Sequence, residues 1–204
     1  MNEQPLWSPS SERIGSARIT AFTQLLRDKY QQQFPDYWSL WRWSIANKET
    51  FWREAWDFCG VVGEQGERVL LDGHLMPGAQ WFPDARLNYA ENLLQKRGGG
   101  DALVFWNEQG DRRRLSHDEL VASVARAQRG LRDAGVVAED RVASLLPNIP
   151  EAAIAMLGAT SLGAVWSSSS PDFGVQGVLD RFTQIAPKIL FAVNGYFYNG
   201  KVVD

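Results

Sequence analysis

The sequence predicts an α/β protein: a parallel βαβαβ unit over residues 140–193, preceded by a helical, tryptophan-rich region and two hairpins. Three observations carry this. Short, branched apolar runs stand at Val142–Leu146, Ala164–Trp166 and Ile189–Val193, the pattern of strands buried on both faces. Between them, apolar residues recur at helical spacing, first Ala153, Ile154, Met156, Leu157, Thr160 and Leu162, then Val175, Val178, Leu179 and Phe182. Breakers sit at the joints, in Pro147-Asn148 with Pro150, in Gly163, and in Pro187. Parallel strands need such helical crossovers, and ligands gather outside the carboxyl ends of the strands. Here those ends are Pro147-Asn148, Ser167–Asp172 and Asn194–Lys201.

Taken in order, Met1–Ser11 reads as a flexible arm. Ile14, Ala17, Phe22, Leu25, Leu26 and Tyr30 form one helical stripe closed by Pro35. After the aromatic run Tyr37–Trp43, Asn47 is a candidate N-cap for a helix whose aromatic face is Phe51, Trp52, Ala55, Trp56 and Cys59. These tryptophans read as packing residues, since no polar group nearby suggests a stacking site for substrate. Val69–Leu75 reads as a hairpin turning at Asp72-Gly73. Trp81–Leu94 starts extended and becomes helical, with Leu87, Ala90 and Leu94 as its stripe. Arg97–Gly100 is a linker.

Ala102–Trp106 and Arg112–Leu115 form the second hairpin around a Glu-Gln-Gly-Asp turn. Ser116 and Glu119 have the spacing of a capping box, opening a helix with Leu120, Val124, Ala127 and Leu131 on one face and Gly135 at its end. His117 is then a first-turn surface residue, and His74 a hairpin residue with no ligand partner at metal-site spacing.

Composition excludes several classes. The 204 residues carry a net charge of −3 and a pI near 5.5, with no long basic run, so a nucleic-acid surface is not expected. Cys59 is the one cysteine, which points to a reducing, cytoplasmic compartment. No apolar run reaches membrane-spanning length, and the N-terminus lacks the basic and apolar segments of a signal peptide.

Gly158–Gly163 has the glycine spacing of a phosphate loop, but Ala164-Val165 replaces its Lys-Ser/Thr and the segment ends a helix instead of opening one. Gly98–Gly100 is too plain to serve. The serines Ser167–Ser170 have no base to activate them, so they read as a hydroxyl-rich loop at a strand end. No residue is assigned a catalytic or metal-ligating role.

The run DRVASLLPNIPEAAIAMLGATSLGAV at 140–165 resembles the first βαβ region of the adenylate-forming acyl-CoA synthetases, and WFPDARLNYAENLL at 81–94 resembles the N-terminal region of their acetyl-CoA synthetase branch. WSSSSPDFG at 166–174 and NGYFYNGK at 194–201 are most similar to the members that activate acetoacetate. The resemblance implies a ligase that uses ATP and magnesium to convert acetoacetate or a related short acid to an acyl-adenylate, then passes the acyl group to coenzyme A. It also implies that the phosphate loop, adenine motif and catalytic lysine lie beyond Asp204, so the partners include the rest of the same polypeptide. Residues 1–97 would be the N-terminal region of acetyl-CoA synthetase type, and 98–204 the first part of the AMP-binding domain.

Two stretches are assigned to the cofactor on this resemblance. Tyr198-Asn199-Gly200-Lys201 stand where the family has an Arg-x-Gly-Arg that contacts coenzyme A phosphates. Ser170–Phe173, including Asp172, match a loop lining the pantetheine passage, where the family has Phe-Gly-Gly-Phe. Lysine for arginine keeps the charge and loses the bidentate geometry. The rival reading is a non-catalytic α/β module that docks a partner through its sheet edge and tryptophan-rich face.

Overall fold

In the computed structural model, residues 6–110 and 112–203 are described. Residues 1–5 of the expected arm and Asp111 of the expected turn lie outside them. The chain divides into two compact units, Met1–Arg86 and Leu87–Asp204.

Among its described residues the first unit holds four helices and a short hairpin. One helical stripe was expected from Ile14 to Tyr30, but the chain forms α1 (Ser11–Gly15) and α2 (Arg18–Tyr30). The break comes at Ser16-Ala17, where Ala17 is extended and α1 is already capped by Ser10. Ile14 is consequently exposed and the core begins at Phe22 and Leu26. The aromatic run Tyr37–Trp43, not assigned from sequence, is α3 (Tyr37–Ala46), started by a capping box between Asp36 and Ser39. Asn47 precedes α4 (Lys48–Cys59), yet its side chain does not cap that helix; its amide donates back to the Trp43 carbonyl at 3.0 Å and finishes α3.

The face of α4 that reaches the core is Phe51, Ala55 and Phe58, against Phe22, Leu26, Phe34 and Leu40. Trp52 and Cys59 are exposed, so the aromatic stripe is turned from its expected position. Complete burial of Leu26 contributes about 2 kcal/mol. Glu54 is also buried, and accepts hydrogen bonds from Lys29 Nζ at 2.7 Å and the Tyr30 hydroxyl at 2.6 Å.

The expected turn at Asp72-Gly73 fails for a backbone reason. A two-residue type I′ turn needs positive φ at both positions, and only Asp72 has it, at 55°. The strand β1 (Leu70–Leu71) pairs instead with β2 (Gln80–Trp81) across a longer loop.

In the second unit, α5 (Tyr89–Leu93) buries Ala90 while Leu87, ahead of the helix, is exposed. The hairpin of β3 (Asp101–Trp106) and β4 (Arg112–Ser116) forms as expected, with Val104 opposite Arg114. Ser116 then opens α6 (His117–Asp133): its Oγ accepts from Glu119 N at 3.2 Å and its N–H donates to Glu119 Oε2 at 2.8 Å. The glycine linker is tied to this first turn, for Gly98 N donates to Asp118 Oδ1 at 2.9 Å and His117 N to Gly100 O at 3.0 Å.

The parallel sheet has the order β6-β5-β7, with β5 (Arg141–Leu145) central between β6 (Val165–Ser169) and β7 (Ile189–Ala192). Two crossover helices, α7 (Pro150–Ser161) and α8 (Val175–Ile185), connect them. Pro150 begins α7 because its missing N–H is unneeded in a first turn, and Gly163, at φ 74°, lets the chain leave it. Leu131, Val136, Val142, Ala159 and Ala164 form the core, with Trp166 and Phe191 packed against it. Gly158 sets how closely α7 lies on α6, since a Cβ there would stand 3.0 Å from that of Ala127.

At the amino ends of the strands, Lys188 Nζ bridges Asp140 Oδ2 at 2.8 Å and the Gly135 carbonyl at 2.6 Å. That ammonium, with the Val137 N–H, holds the Asp140 carboxyl below its usual range. After β7 comes a last hairpin, β8 (Tyr196–Tyr198) and β9 (Lys201–Val203). The expected serine loop is shorter than the sequence suggested: Ser167–Ser169 are paired in β6 opposite Ala143–Leu145, and only Ser170 leaves the ladder. Among the described residues, no helix is long and apolar enough to cross a membrane.

Candidate functional site

The carboxyl ends of β5 and β7 open on a cavity of about 830 Å³. Pro147, Asn148 and Ile149 supply the wall after β5, and Val193, Asn194 and Gly195 the wall after β7. The expected binding edge is therefore a concave surface at two of its three strand ends. Its remaining walls come from Tyr196, Phe197 and Val202 of the last hairpin and from Phe105–Glu108 at the end of β3. The contribution of β3 was not read from the sequence, because an antiparallel hairpin far along the chain gives no sign of which strand end it will flank.

Tyr198-Asn199-Gly200-Lys201 is the tight end of β8–β9. Tyr198 and Lys201 are the closing pair, and Asn199 and Gly200 have φ of 50° and 73°. Both values are positive, which defines a type I′ turn and explains the Asn-Gly sequence. The two turn N–H groups point the same way and donate to one carboxylate, Asn199 N to Glu108 Oε1 at 3.0 Å and Gly200 N to Glu108 Oε2 at 2.8 Å. Lys201 is exposed and makes no ion pair among the described residues.

The second predicted stretch is a short polar knot. Ser170 Oγ donates to Asp172 Oδ2 at 2.8 Å, and Asp172 N returns to Ser170 Oγ at 3.4 Å. Tyr196 joins the two stretches by donating from its hydroxyl to Asp172 Oδ1 at 3.2 Å. Loss of hydration raises the Tyr196 phenol above its ordinary value, and the bond to anionic Asp172 raises it further. Phe173 is 45% exposed, with the Arg181 guanidinium 4.3 Å from its ring centroid.

The structure thus brings Ser170 and Asp172 to the hairpin that carries Tyr198–Lys201. None of these residues, nor Phe173, forms the cavity wall itself. They stand beside it, with Tyr196 and Phe197 between. Sequence reasoning gave Tyr196 no role beyond its place in the expected edge Asn194–Lys201, and missed Glu108. For the turn a signal existed, the Asn-Gly pair flanked by Tyr198 and Lys201; for Glu108 there was none, since a glutamate in a polar hairpin turn is ordinarily a solvated residue.

Two adjacent amides that converge on one carboxylate could equally meet two oxygens of a phosphate, and Lys201, next in the chain, carries a positive charge with no ion pair among the described residues. The Ser170 hydroxyl is engaged with a carboxylate that Tyr196 also holds. Among the described residues, no three His, Cys, Asp or Glu side chains are placed to hold a metal ion. His117 heads α6 with Nε2 sealed from solvent and without a partner among the described residues, and His74 lies in the loop between β1 and β2.

Residues 91–202 match the family model described as AMP-binding enzyme, and residues 37–93 match the one described as acetyl-coenzyme A synthetase N-terminus. An acetoacetyl-coenzyme A synthetase of Rhizobium meliloti (strain 1021) is 48% identical over 99% of this chain, which covers 31% of that protein. A malonamoyl-CoA synthetase of Penicillium aethiopicum is 38% identical over 98% of this chain, covering 28% of its own length. Among solved structures, an acetoacetyl-CoA synthetase from Streptomyces lividans superposes with a TM-score of 0.91 at 42% identity, over 98% of this chain and 32% of that one. The chain spans about a third of the length of the relatives it matches.

Proposed function

The chain belongs to the AMP-binding enzyme family, and from that premise we propose that it forms the N-terminal part of an ATP-dependent acetoacetate–CoA ligase. The observation that carries this reading is the match of 98% of the chain to the Streptomyces lividans synthetase at TM-score 0.91. In the proposed reaction the acid attacks the α-phosphorus of magnesium-bound ATP, giving acyl-adenylate and pyrophosphate. Coenzyme A then displaces AMP through its thiol. The relatives named for acetoacetyl-CoA and malonamoyl-CoA support a short acid with a second carbonyl at the β position.

The role of this chain's own residues in that reading is to bind and orient. The parallel sheet supplies a rigid edge. The hairpin turn presents the Asn199 and Gly200 amides and Lys201 to coenzyme A phosphate, and the Ser170–Asp172–Tyr196 contacts fix the neighbouring loop to that hairpin. Ordinary work in a reducing cytoplasm, with the other reaction components supplied by the same polypeptide, completes the proposal; the lone Cys59 accords with it.

The test is ATP–pyrophosphate exchange by a ligase whose first part is this chain, made by joining the 204 residues to the remainder of the Rhizobium meliloti relative. Acetoacetate-dependent exchange is the expected result. Exchange with acetate and none with acetoacetate would overturn the substrate, and a folded chimera that exchanges with neither would overturn the ligase reading.

A further inference from the structure

The contact between Glu108 and the Asn199–Gly200 turn joins two hairpins separated by 91 and 92 residues. It is no local turn contact. The β3–β4 turn does not need the Glu108 side chain, because Asn107 closes that turn itself, its Oδ1 accepting from Gln109 N at 3.1 Å and its carbonyl from Gly110 N at 3.1 Å. Nor does Glu108 pair with Lys201, the cation next to the turn. Its two oxygens instead take one amide each, as two oxygens of a phosphate would.

We propose that Glu108 is an internal stand-in for an anionic ligand, closing the phosphate seat of the Asn199–Gly200 turn until a phosphate group displaces it. The proposal rests on the reading that this turn meets coenzyme A phosphate, and adds a regulatory residue to it. Glu108 is exposed, so its carboxylate exchanges the two amides for water at little cost, and the seat is closed only weakly. Glu108 also lines the cavity at the carboxyl ends of β5 and β7. Its release therefore frees the amides and opens the rim between the two hairpins in one movement.

The test uses the chain with Glu108→Gln and Glu108→Asp, followed through the backbone amide resonances of Asn199, Gly200 and Lys201. Without ligand, both variants should shift the Asn199 and Gly200 amides away from their carboxylate-bonded positions. If those resonances stay in place in both variants, Glu108 does not hold the seat and the proposal fails, whatever coenzyme A does. Titration then uses coenzyme A, inorganic phosphate and phosphate-free pantetheine. Both variants should bind coenzyme A about three- to tenfold more tightly than the parent chain, the worth of one or two weak hydrogen bonds.

Asp keeps the charge and shortens the reach by one methylene, which separates displacement from repulsion. Tighter binding in Glu108→Asp supports displacement, and a gain confined to Glu108→Gln overturns it in favour of simple charge. If inorganic phosphate moves these amides and coenzyme A does not, the seat stands and the coenzyme A reading falls. If neither moves them in any of the three proteins, there is no phosphate seat.

Discussion

Ser144 lies in the middle of the central strand β5, 1% exposed, with its hydroxyl sealed from solvent and without a hydrogen-bond partner among the described residues. Its register neighbours are Ser168 on β6 and Phe191 on β7. A buried hydroxyl left unpaired costs about 1–3 kcal/mol on mutational scales. Ser144→Ala deletes that oxygen and leaves a void of roughly one atom, about 10–15 Å³, worth only about 0.3 kcal/mol at the usual cavity cost. The balance favours the variant by about 0.7 kcal/mol at the low end of the range and about 1.7 kcal/mol at its middle. Since the chain has two compact units, global unfolding is a poor reporter. Native-state hydrogen exchange at Val142–Leu145 reports the sheet directly, and about 1 kcal/mol slows exchange about fivefold where opening limits it. Slower exchange confirms the arithmetic. Faster exchange in Ser144→Ala would mean that the hydroxyl is satisfied, and that the strand centre carries no polar strain.

Two further perturbations test other joints of the molecule. Burial pushes the Glu54 carboxyl up, but its bonds from Lys29 and Tyr30 bring it below the ordinary glutamate value. A depressed folded value means that its stabilisation is complete above the ordinary range and is lost as pH falls through the folded value. Glu54→Gln should cost about 1–2 kcal/mol at neutral pH and flatten the acid limb of exchange at α2 and α4; an unchanged acid limb would show that Glu54 is not the titrating group. Gly200→Ala places a Cβ at φ 73° in a hairpin whose strands are three residues each. A left-handed non-glycine residue costs about 1–2 kcal/mol, so opening of β8–β9 should rise at least fivefold in amide exchange, with exchange in β5 unaffected. Equal exchange in parent and variant would remove the type I′ turn as the element holding the two amides.

What the sequence made legible follows from how local each cause is. Branched runs, helical spacing, Pro150 and the Ser116–Glu119 pair act within one turn or one strand, and the second unit formed where they placed it. The first unit was read less well because its errors are matters of phase. A break at Ser16-Ala17 splits one apparent stripe into two helices, and a rotation of α4 exchanges Trp52 and Cys59 for Phe58 in the core. Aromatic residues were so dense there that several stripes were equally apolar, and periodicity could not choose among them. The serine run failed for a related reason: serine is common in loops, yet a ladder with β5 on one side was enough to hold Ser167–Ser169 extended.

The site was legible in direction more than in detail. Chain polarity alone points to the ends after β5, β6 and β7, and the cavity stands at the first and last of these. Which groups turn that edge into a donor set depends on a hairpin turn that Asn-Gly could have announced, and on Glu108, which only the assembled fold brings within 2.8 Å of Gly200. The same point bears on Lys201. A lone lysine meets phosphate as a point charge and fixes no orientation, whereas two parallel amides fix two oxygens at once. If the turn receives phosphate, the orienting work therefore belongs to Asn199 and Gly200, and substitution of Lys201 should weaken attraction over distance, with strong salt dependence, while leaving the bound geometry intact.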